Sequence, residues 1–451
     1  MKRFLWIVVL LVLVTEKVPT QAAEIPVAGG TLTLEDAQKE ALSHSPVYRR
    51  SQDAEQEAGW GQLEAISDGF LPHVHLKGQY FLPDPEYTNL HVAFPGSSQP
   101  ITFPGIYPEK TLSLDADLDL FDGFKNIHKL DAANNNHQAA KILSDWTLLQ
   151  LAEEIRLRFY QALAAQLLSE MSDQNVKTLE DHLRIVQDQL DNGQATKYDV
   201  LRVDVQLSEA KSDQISAHDS VALARSALTQ AMGLKSDDRT LSGQLPVLDT
   251  DALLKDVTSA QLAESPQLRA KELLARAAED QSAAAHAFWF PRLSVIGEYQ
   301  WYNNPDYIGG LVDNDNFRNA YFLGAAASWD LLDGGLSVAR ANEAGAKALQ
   351  AKDEYESAQL QTPYDFDLWK RRLISSVSLY KAKLTDVDKA KESARLATVG
   401  FKAGTRTTTD VLDAELEEYR ASAGLVQAQI NSLEALVNLE LTIGKKLSVN
   451  P

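Results

Sequence analysis

Three aspartates in strict alternation, Asp115, Asp117 and Asp119, are the side chains in this sequence most plainly placed to do chemistry. Carboxylates two apart share one face of an extended strand, where a row of them attracts cations and repels anions. Two histidines at the same spacing, His73 and His75, offer the imidazole nitrogens that hold zinc-class metals. No third ligand accompanies them, so they read as a polar pair on one strand face, and no metal centre is expected. The 63 Asp and Glu residues supply many carboxylate pairs, but general acid–base work also needs a partner to act on. The sequence shows no nucleophile–base signature, no phosphate loop and no GxGxxG. It therefore offers no catalytic residues and no cofactor site, and an enzyme is not expected.

The element that positions the three aspartates is a strand. Thr111 to Phe121 reads TLSLDADLDLF, with Leu112, Leu114, Leu118 and Leu120 opposite the acids. Eleven residues of period 2 are the length and pattern of a transmembrane strand, apolar toward lipid and polar toward a lumen. We expect Asp115, Asp117 and Asp119 to face that lumen. Similar stretches cover residues 72–82, 291–302 and 319–331. Tyr299, Trp301, Tyr321 and Trp329 lie near their ends, where aromatic rings favour the membrane interface. Between the strands, residues 83–110 carry six prolines and fit neither a helix nor a sheet interior, and residues 303–318 are polar. A half-buried sheet in a soluble domain is the alternative, and it needs a larger globular body than the chain provides.

The strands belong to a tandem repeat. Asp122-Gly123 recurs as Asp333-Gly334, Gly193 with Asp199-Val200-Leu201 as Gly404 with Asp410-Val411-Leu412, and Met232-Gly233 as Ile443-Gly444, each 211 residues later. Residues 24–233 form the first unit, 234–258 a linker and 259–447 the second. From Gly123 to Gly193 no proline interrupts a stretch that spans about 105 Å as a helix. The returning stretch, about 60 Å, and Pro46–Phe70, roughly 37 Å, together come close to that length. One long helix thus pairs with two shorter ones stacked end to end. Pro363 is expected to interrupt the long helix of the second unit at the height of that junction. Leu416, Tyr419, Ala423, Val426, Ile430, Leu433 and Val437 step by 3 and 4, the pattern of coiled-coil packing. The turns at Gly193 and Gly404 then form a far tip.

Bulk properties set the class. A net charge of −20 argues against nucleic acid as a partner. The absence of cysteine excludes disulfides, thiolate metal sites and an acylated amino-terminal cysteine. Lys2 and Arg3 followed by the apolar run Phe4–Val14 and small residues at Ala22-Ala23 read as a signal peptide over residues 1–23. No helix-length apolar segment exists elsewhere, so any spanning must be done by strands. Four strands cannot close a barrel, and open edges are forbidden in hydrocarbon. Subunits must therefore share one barrel.

The run Gly404-Thr405-Arg406-Thr407-Thr408-Thr409-Asp410-Val411-Leu412-Asp413-Ala414, with Asn192-Gly193 to Asp199-Val200 as its counterpart, resembles the helix-turn motif of the TolC family of outer-membrane efflux and export ducts. The order of elements resembles that family over nearly the whole mature chain. The resemblance implies an α+β membrane protein: a homotrimer whose twelve strands form one outer-membrane barrel, with helices forming a periplasmic coiled-coil tunnel. It implies outer membrane lipid, a periplasmic adaptor protein and an inner-membrane pump as partners, and export of small molecules or polypeptides. It also implies a periplasmic gate at the tip, with Arg406 pairing Asp199 on a neighbouring hairpin, in one subunit or the next, and Asp410 and Asp413 forming rings of carboxylates. Phe401 and Tyr198 stand where the family's best-known member has a tyrosine and a threonine. The alternative function is a soluble periplasmic adaptor or scaffold, which shares the long helices but not two copies of a lipid-length strand pair.

Overall fold

The computed structural model describes residues 30–80, 89–92, 99, 101–104, 110–255, 257–303 and 317–447. The expected signal peptide and most of both inter-strand loops lie outside them. In chain order the first repeat holds β1 (Thr31–Leu32), α1 (Leu34–His44), α2 (Pro46–Phe70), β2 (His73–Tyr80), β3 (Asn89–Val92), β4 (Ile101–Pro104), β5 (Lys110–Phe121), α3 (Lys125–Asp191) and α4 (Lys197–Ala231). After β6 (Thr240–Leu241) and α5 (Thr250–Leu254) come α6 (Pro266–Ala285), β7 (Arg292–Asn303), β8 (Phe317–Ser328), α7 (Leu336–Lys402) and α8 (Thr408–Ile443).

The helix lengths follow from where the chain can and cannot stop. Both α3 and α7 run for 67 residues. Their returning partners are shorter, 35 residues in α4 and 36 in α8, and α2 and α6 with 25 and 20 residues supply the remaining height. The joints are built from glycine. α4 ends on Gly233 at φ +76°, where a Cβ would lie 2.7 Å from the His44 carbonyl oxygen. α8 ends on Gly444 at φ +70°, where a Cβ would collide with Pro266. Each short helix can therefore abut the next only because the joint lacks a side chain. Ser45 caps α2 through the Tyr48 N–H, with Pro46 in the first turn.

One expectation changes. Pro363 does not interrupt α7, which passes through it. The missing N–H costs one bond to the Gln359 carbonyl, while the Thr362 hydroxyl donates to the Ala358 carbonyl at 2.8 Å. Phe366, Leu373 and Val377 immediately beyond are buried against α8, and this packing holds the helix on course. The proline-rich stretch between β2 and β5 holds no sheet interior among its described residues, only β3 and β4 paired antiparallel, from Asn89 with Pro104 to Val92 with Ile101. A two-stranded ladder consists only of edges, which is where a proline is tolerated.

The sheet order is β2-β5-β7-β8, antiparallel throughout. Below it the helices touch in the matching order: α2 with α3, α3 with α6, α6 with α7. Each strand is thus continued by the helix that precedes or follows it. The linker is packed: Leu248, Leu253 and Val257 join Leu262, Leu373, Val377, Leu436 and Leu439 in one core. A second core gathers Leu32, Ala37 and Ala41 against Ile155, Phe159, Leu228 and Met232.

The repeats are also joined by charge. Glu153 and Arg156 of α3 meet Glu440 of α8, and both carboxylates are fully buried. Arg156 Nη2 lies 2.5 Å from Glu153 Oε2 and also binds Glu440 Oε2. Glu440 Oε1 accepts the Leu447 N–H at 2.6 Å. Two carboxylates share one guanidinium, with the Lys446 charge acting on Glu153 from nearby. Burial pushes Glu440 up to about 7 against the pull of Arg156, and burial raises Glu153 as well. A carboxylate raised in the folded state stabilises fully below its unfolded value of about 4.5, and that contribution is lost as pH rises through the folded value. We therefore expect the thermal midpoint of the wild type to fall, relative to Glu440→Gln, between about pH 4.5 and pH 7. Scanning calorimetry across that range checks it; parallel curves for the two proteins would contradict the assignment.

Candidate functional site

The strand register assembles one continuous apolar face. Val74, Leu76 and Gly78 of β2 stand opposite Ala116, Leu114 and Leu112 of β5. Those residues, with Leu118, stand opposite Gly297, Tyr299, Trp301 and Val295 of β7. Val295, Gly297 and Tyr299 in turn meet Ala325, Leu323 and Tyr321 of β8. Tyr321 and Leu323 are 81% and 79% exposed. A sheet that leaves such side chains uncovered on one face suits hydrocarbon rather than water. Leu120 falls at a bulge between Asp119 and Phe121 that ends the alternation.

The aromatics sort by height. Tyr299 and Trp301 stack edge to face at 4.5 Å, and the Tyr299 hydroxyl accepts from Asn319 Nδ2 at 2.7 Å. Tyr299 pairs with Tyr321 in register, toward the loop end of the sheet. Trp329 follows the last residue of β8, at the opposite end. There it joins Phe70, Leu71, Phe124, Trp289, Phe290, Leu331 and Leu332, all exposed and all at strand-to-helix junctions. The sequence reading marked Trp329 of this collar, but not Phe70, Leu71, Phe124, Trp289, Phe290 and Leu332, which lie outside the alternating segments.

On the other face the three aspartates stand in one row with Ser113, and each has a nitrogen-bearing side chain from another strand beside it. Lys77 Nζ lies 2.8 Å from Asp115, Arg292 Nε donates to Asp119 at 2.7 Å, and His73 Nδ1 is 3.8 Å from Asp117. Sequence reading found the acids but not these partners, which come from strands 40 residues upstream and over 170 downstream. The His73 and His75 rings lie 6.3 Å apart. With Lys77 and Arg292 set against Asp115 and Asp119, the row is not a bare acidic wall.

At the far tip, each hairpin turns on a left-handed glycine, Gly193 at φ +73° and Gly404 at φ +72°. Thr196 and Thr407 cap the returning helices in matching boxes. Asp199 Oδ2 accepts from the Thr196 N–H at 2.8 Å, and Asp410 Oδ2 from the Thr407 N–H at 2.8 Å. The hydroxyl and N–H of Thr196, and the N–H and hydroxyl of Thr407, hold the two carboxyls below the ordinary aspartate value. Within the protomer Asp199 is thus committed to its own helix, and no ion pair joins it to Arg406. The cation that bridges the hairpins is Arg202, which donates to Thr409 Oγ1 at 3.0 Å and to Asp413 at 3.4 Å. Arg202 and Asp413 occupy equivalent positions, 211 residues apart. The repeat offset was the signal that could have paired them: mates related by the internal symmetry meet where its axis passes. Higher up, His182 Nε2 binds Glu415 at 2.7 Å, and Leu412 of α8 is buried among Val186, Val203 and Leu207 of the other hairpin.

The chain matches the family model described as outer membrane efflux protein over residues 39–234 and 257–445. It is 26% identical over 261 residues to the outer membrane protein TolC of Vibrio cholerae, covering 54% of this chain and 56% of that one. The match thus spans little more than half of that relative's length. The alkaline protease secretion protein AprF of Pseudomonas aeruginosa is 22% identical, over 74% of this chain and 69% of its own. In fold it is similar to the crystal structure of the outer membrane protein VceC from Vibrio cholerae, with a TM-score of 0.73 at 19% identity, covering 92% and 97% of the two chains.

The tip contacts rank themselves by burial. A half-exposed ion pair contributes at most about 1 kcal/mol, whereas truncating a buried leucine costs about 2–5 kcal/mol. Hydrogen exchange of amides 408–415 should therefore accelerate modestly in Arg202→Ala and far more in Leu412→Ala. Equal exchange in both variants would show that the apolar contact does not hold the hairpins together.

Proposed function

Because the chain belongs to the outer membrane efflux protein family, matched across both of its repeats, we propose that three copies share one outer-membrane barrel and form a channel-tunnel for export. The protein is an outer-membrane protein that extends into the periplasm. The observation that carries the reading is the pair of open edges. Among the described residues β2 and β8 each have one neighbour in the sheet, and α2 and α7 flank the helical layer below them in the same order. Bilayer hydrocarbon supplies no hydrogen bonds to an unpaired edge. In an antiparallel order of four, β8 of one copy meets β2 of the next in antiparallel sense, so copies can repeat around a ring. The apolar face then meets lipid, and the face of Asp115, Asp117 and Asp119 meets the lumen.

Cargo enters from a periplasmic adaptor and an inner-membrane pump, so the duct conducts small molecules or polypeptides according to what that pump loads. The tip is the gate. Arg202 ties the two hairpins of one copy, Arg406 serves the neighbouring copy, and Asp410 and Asp413 of three copies ring the opening. Neither the lumen nor the tip performs a reaction.

Two experiments test the proposal. The chain has no cysteine, so Gln79→Cys in β2 can be paired in turn with Ala320→Cys, Phe322→Cys and Gly324→Cys in β8. Oxidation in outer membranes should yield a ladder ending at three subunits; monomers alone in every pairing would overturn the shared barrel. In planar bilayers, Arg202→Ala and Arg406→Ala should raise conductance, and Asp410→Ala with Asp413→Ala should abolish divalent block from the tip side. Reversal potentials should show cation preference that grows in Lys77→Ala with Arg292→Ala and falls when Asp115, Asp117 and Asp119 are changed to Asn, both effects weakening at high salt. A selectivity indifferent to all five changes would place these residues outside the conduction path.

A further inference from the structure

The seam between α3 and α6 holds a cluster that export does not use. His128 and Asp131 stand three residues apart on α3, and Asp280 faces them from α6. One donor atom from each lies within 4.8 Å of the other two, the one such trio of His, Cys, Asp or Glu residues among the described residues. His128 Nδ1 is shut off from solvent and has no hydrogen-bond partner. Asp280 Oδ1 lies 3.7 Å from it, beyond a hydrogen bond. That separation is close to the about 3.4 Å between two ligands of a tetrahedral ion with bonds of about 2.1 Å.

The surroundings support ligation. Asn135 Nδ2 donates to Asp280 Oδ2 at 3.0 Å. This bond fixes the carboxylate and leaves Oδ1 on the His128 side, the part that outer-shell partners play at metal sites. His128 and Asp280 are 37% and 25% exposed at their side chains, and Asp131 is exposed, so an ion has a path in and room for water ligands.

The fold itself does not require these residues. At the repeat offset of 211, the positions matching His128, Asp131 and Asn135 in α7 are Ala339, Asn342 and Ala346. By the offset relating Pro72 to Pro291, Asp280 corresponds to Gly61 in α2. The second repeat therefore builds the same helix with no ligand set, and packing does not explain the polar trio.

We propose that His128, Asp131 and Asp280 bind one zinc-class divalent transition-metal ion per protomer, which ties the first repeat to the second in the upper helical layer. An imidazole with two carboxylates favours zinc, cobalt, nickel or copper over magnesium or calcium, which prefer all-oxygen sites. Two carboxylates also balance the double charge. The site stands on its own geometry and does not depend on the export reading.

The test uses the full-length, tag-free protein as isolated from membranes, stripped with chelator and titrated with Zn²⁺ by calorimetry and with Co²⁺ by visible absorption. One ion per protomer is expected. His128→Ala and Asp280→Asn should each weaken it more than tenfold, and Asn135→Ala by about tenfold. His73→Ala, on the strand face, should leave it unchanged. Saturating Zn²⁺ should raise the thermal midpoint of the wild type and not of His128→Ala. Absence of a one-to-one site, or equal affinity in a folded His128→Ala protein, overturns the proposal. If His128→Ala fails to fold, His128→Gln serves in its place and must likewise lose the cobalt spectrum.

Discussion

A backbone N–H or C=O left unpaired in hydrocarbon costs several kcal/mol, and β2 and β8 each present a whole row of them. Much of the molecule can be derived from that constraint. A four-stranded sheet cannot curl back on itself, so its edges call for other copies of the chain. Copies that meet edge to edge must keep the order β2-β5-β7-β8 around the ring, and the helices keep the same order because each continues a strand. The strand register is tied to the same requirement. A slip of one residue would exchange the Leu76–Leu114–Tyr299–Tyr321 row with the Lys77–Ser113–Gln300–Ala320 row and turn charge toward lipid.

The helical layer meets a different limit. Helices of 67 residues have no globular core to lie on, so they must be packed along their whole length by partners. The chain solves this by stacking two short helices against each long one and placing glycine where they abut. The cores collect at that joint, where the inter-repeat linker also packs. Pro363 lies in the same region, and the helix passes through it because the burial of Phe366, Leu373 and Val377 beyond it outweighs one lost backbone bond.

Charge is handled in three distinct ways along the axis. In the sheet, acids are offset by cations from neighbouring strands, which keeps the face polar without a strong net field. At the mid-height seam, Glu153 and Glu440 exceed their single Arg156, and one of them retains a proton up to near neutral pH. At the tip, Asp199 and Asp410 are held ionised by their own helix caps, and Arg202 meets Asp413 across the internal symmetry. Acidification through pH 7 therefore acts on the seam, while the tip carboxylates stay charged to well below that.

The sequence by itself determined the repeat, the four strands, the long helices and their turning points. Each of these is written in local order: alternation in residues 111–121, capping threonines before Asp199 and Asp410, glycines at 193 and 404, and one offset of 211. Family resemblance in the tip motif added the export role, and the family match removed the soluble scaffold as a reading. What only the tertiary structure decided is which side chains meet. Lys77 and Arg292 reach Asp115 and Asp119 from other strands, Arg202 rather than Arg406 bridges the hairpins of one protomer, Glu440 lies 284 residues from Arg156, and His128 faces Asp280 across a helix seam. Local periodicity specifies the face on which a residue lies, because that depends on the residue's own backbone. It cannot specify the partner on that face, because partners are set by register and packing between segments far apart in the chain.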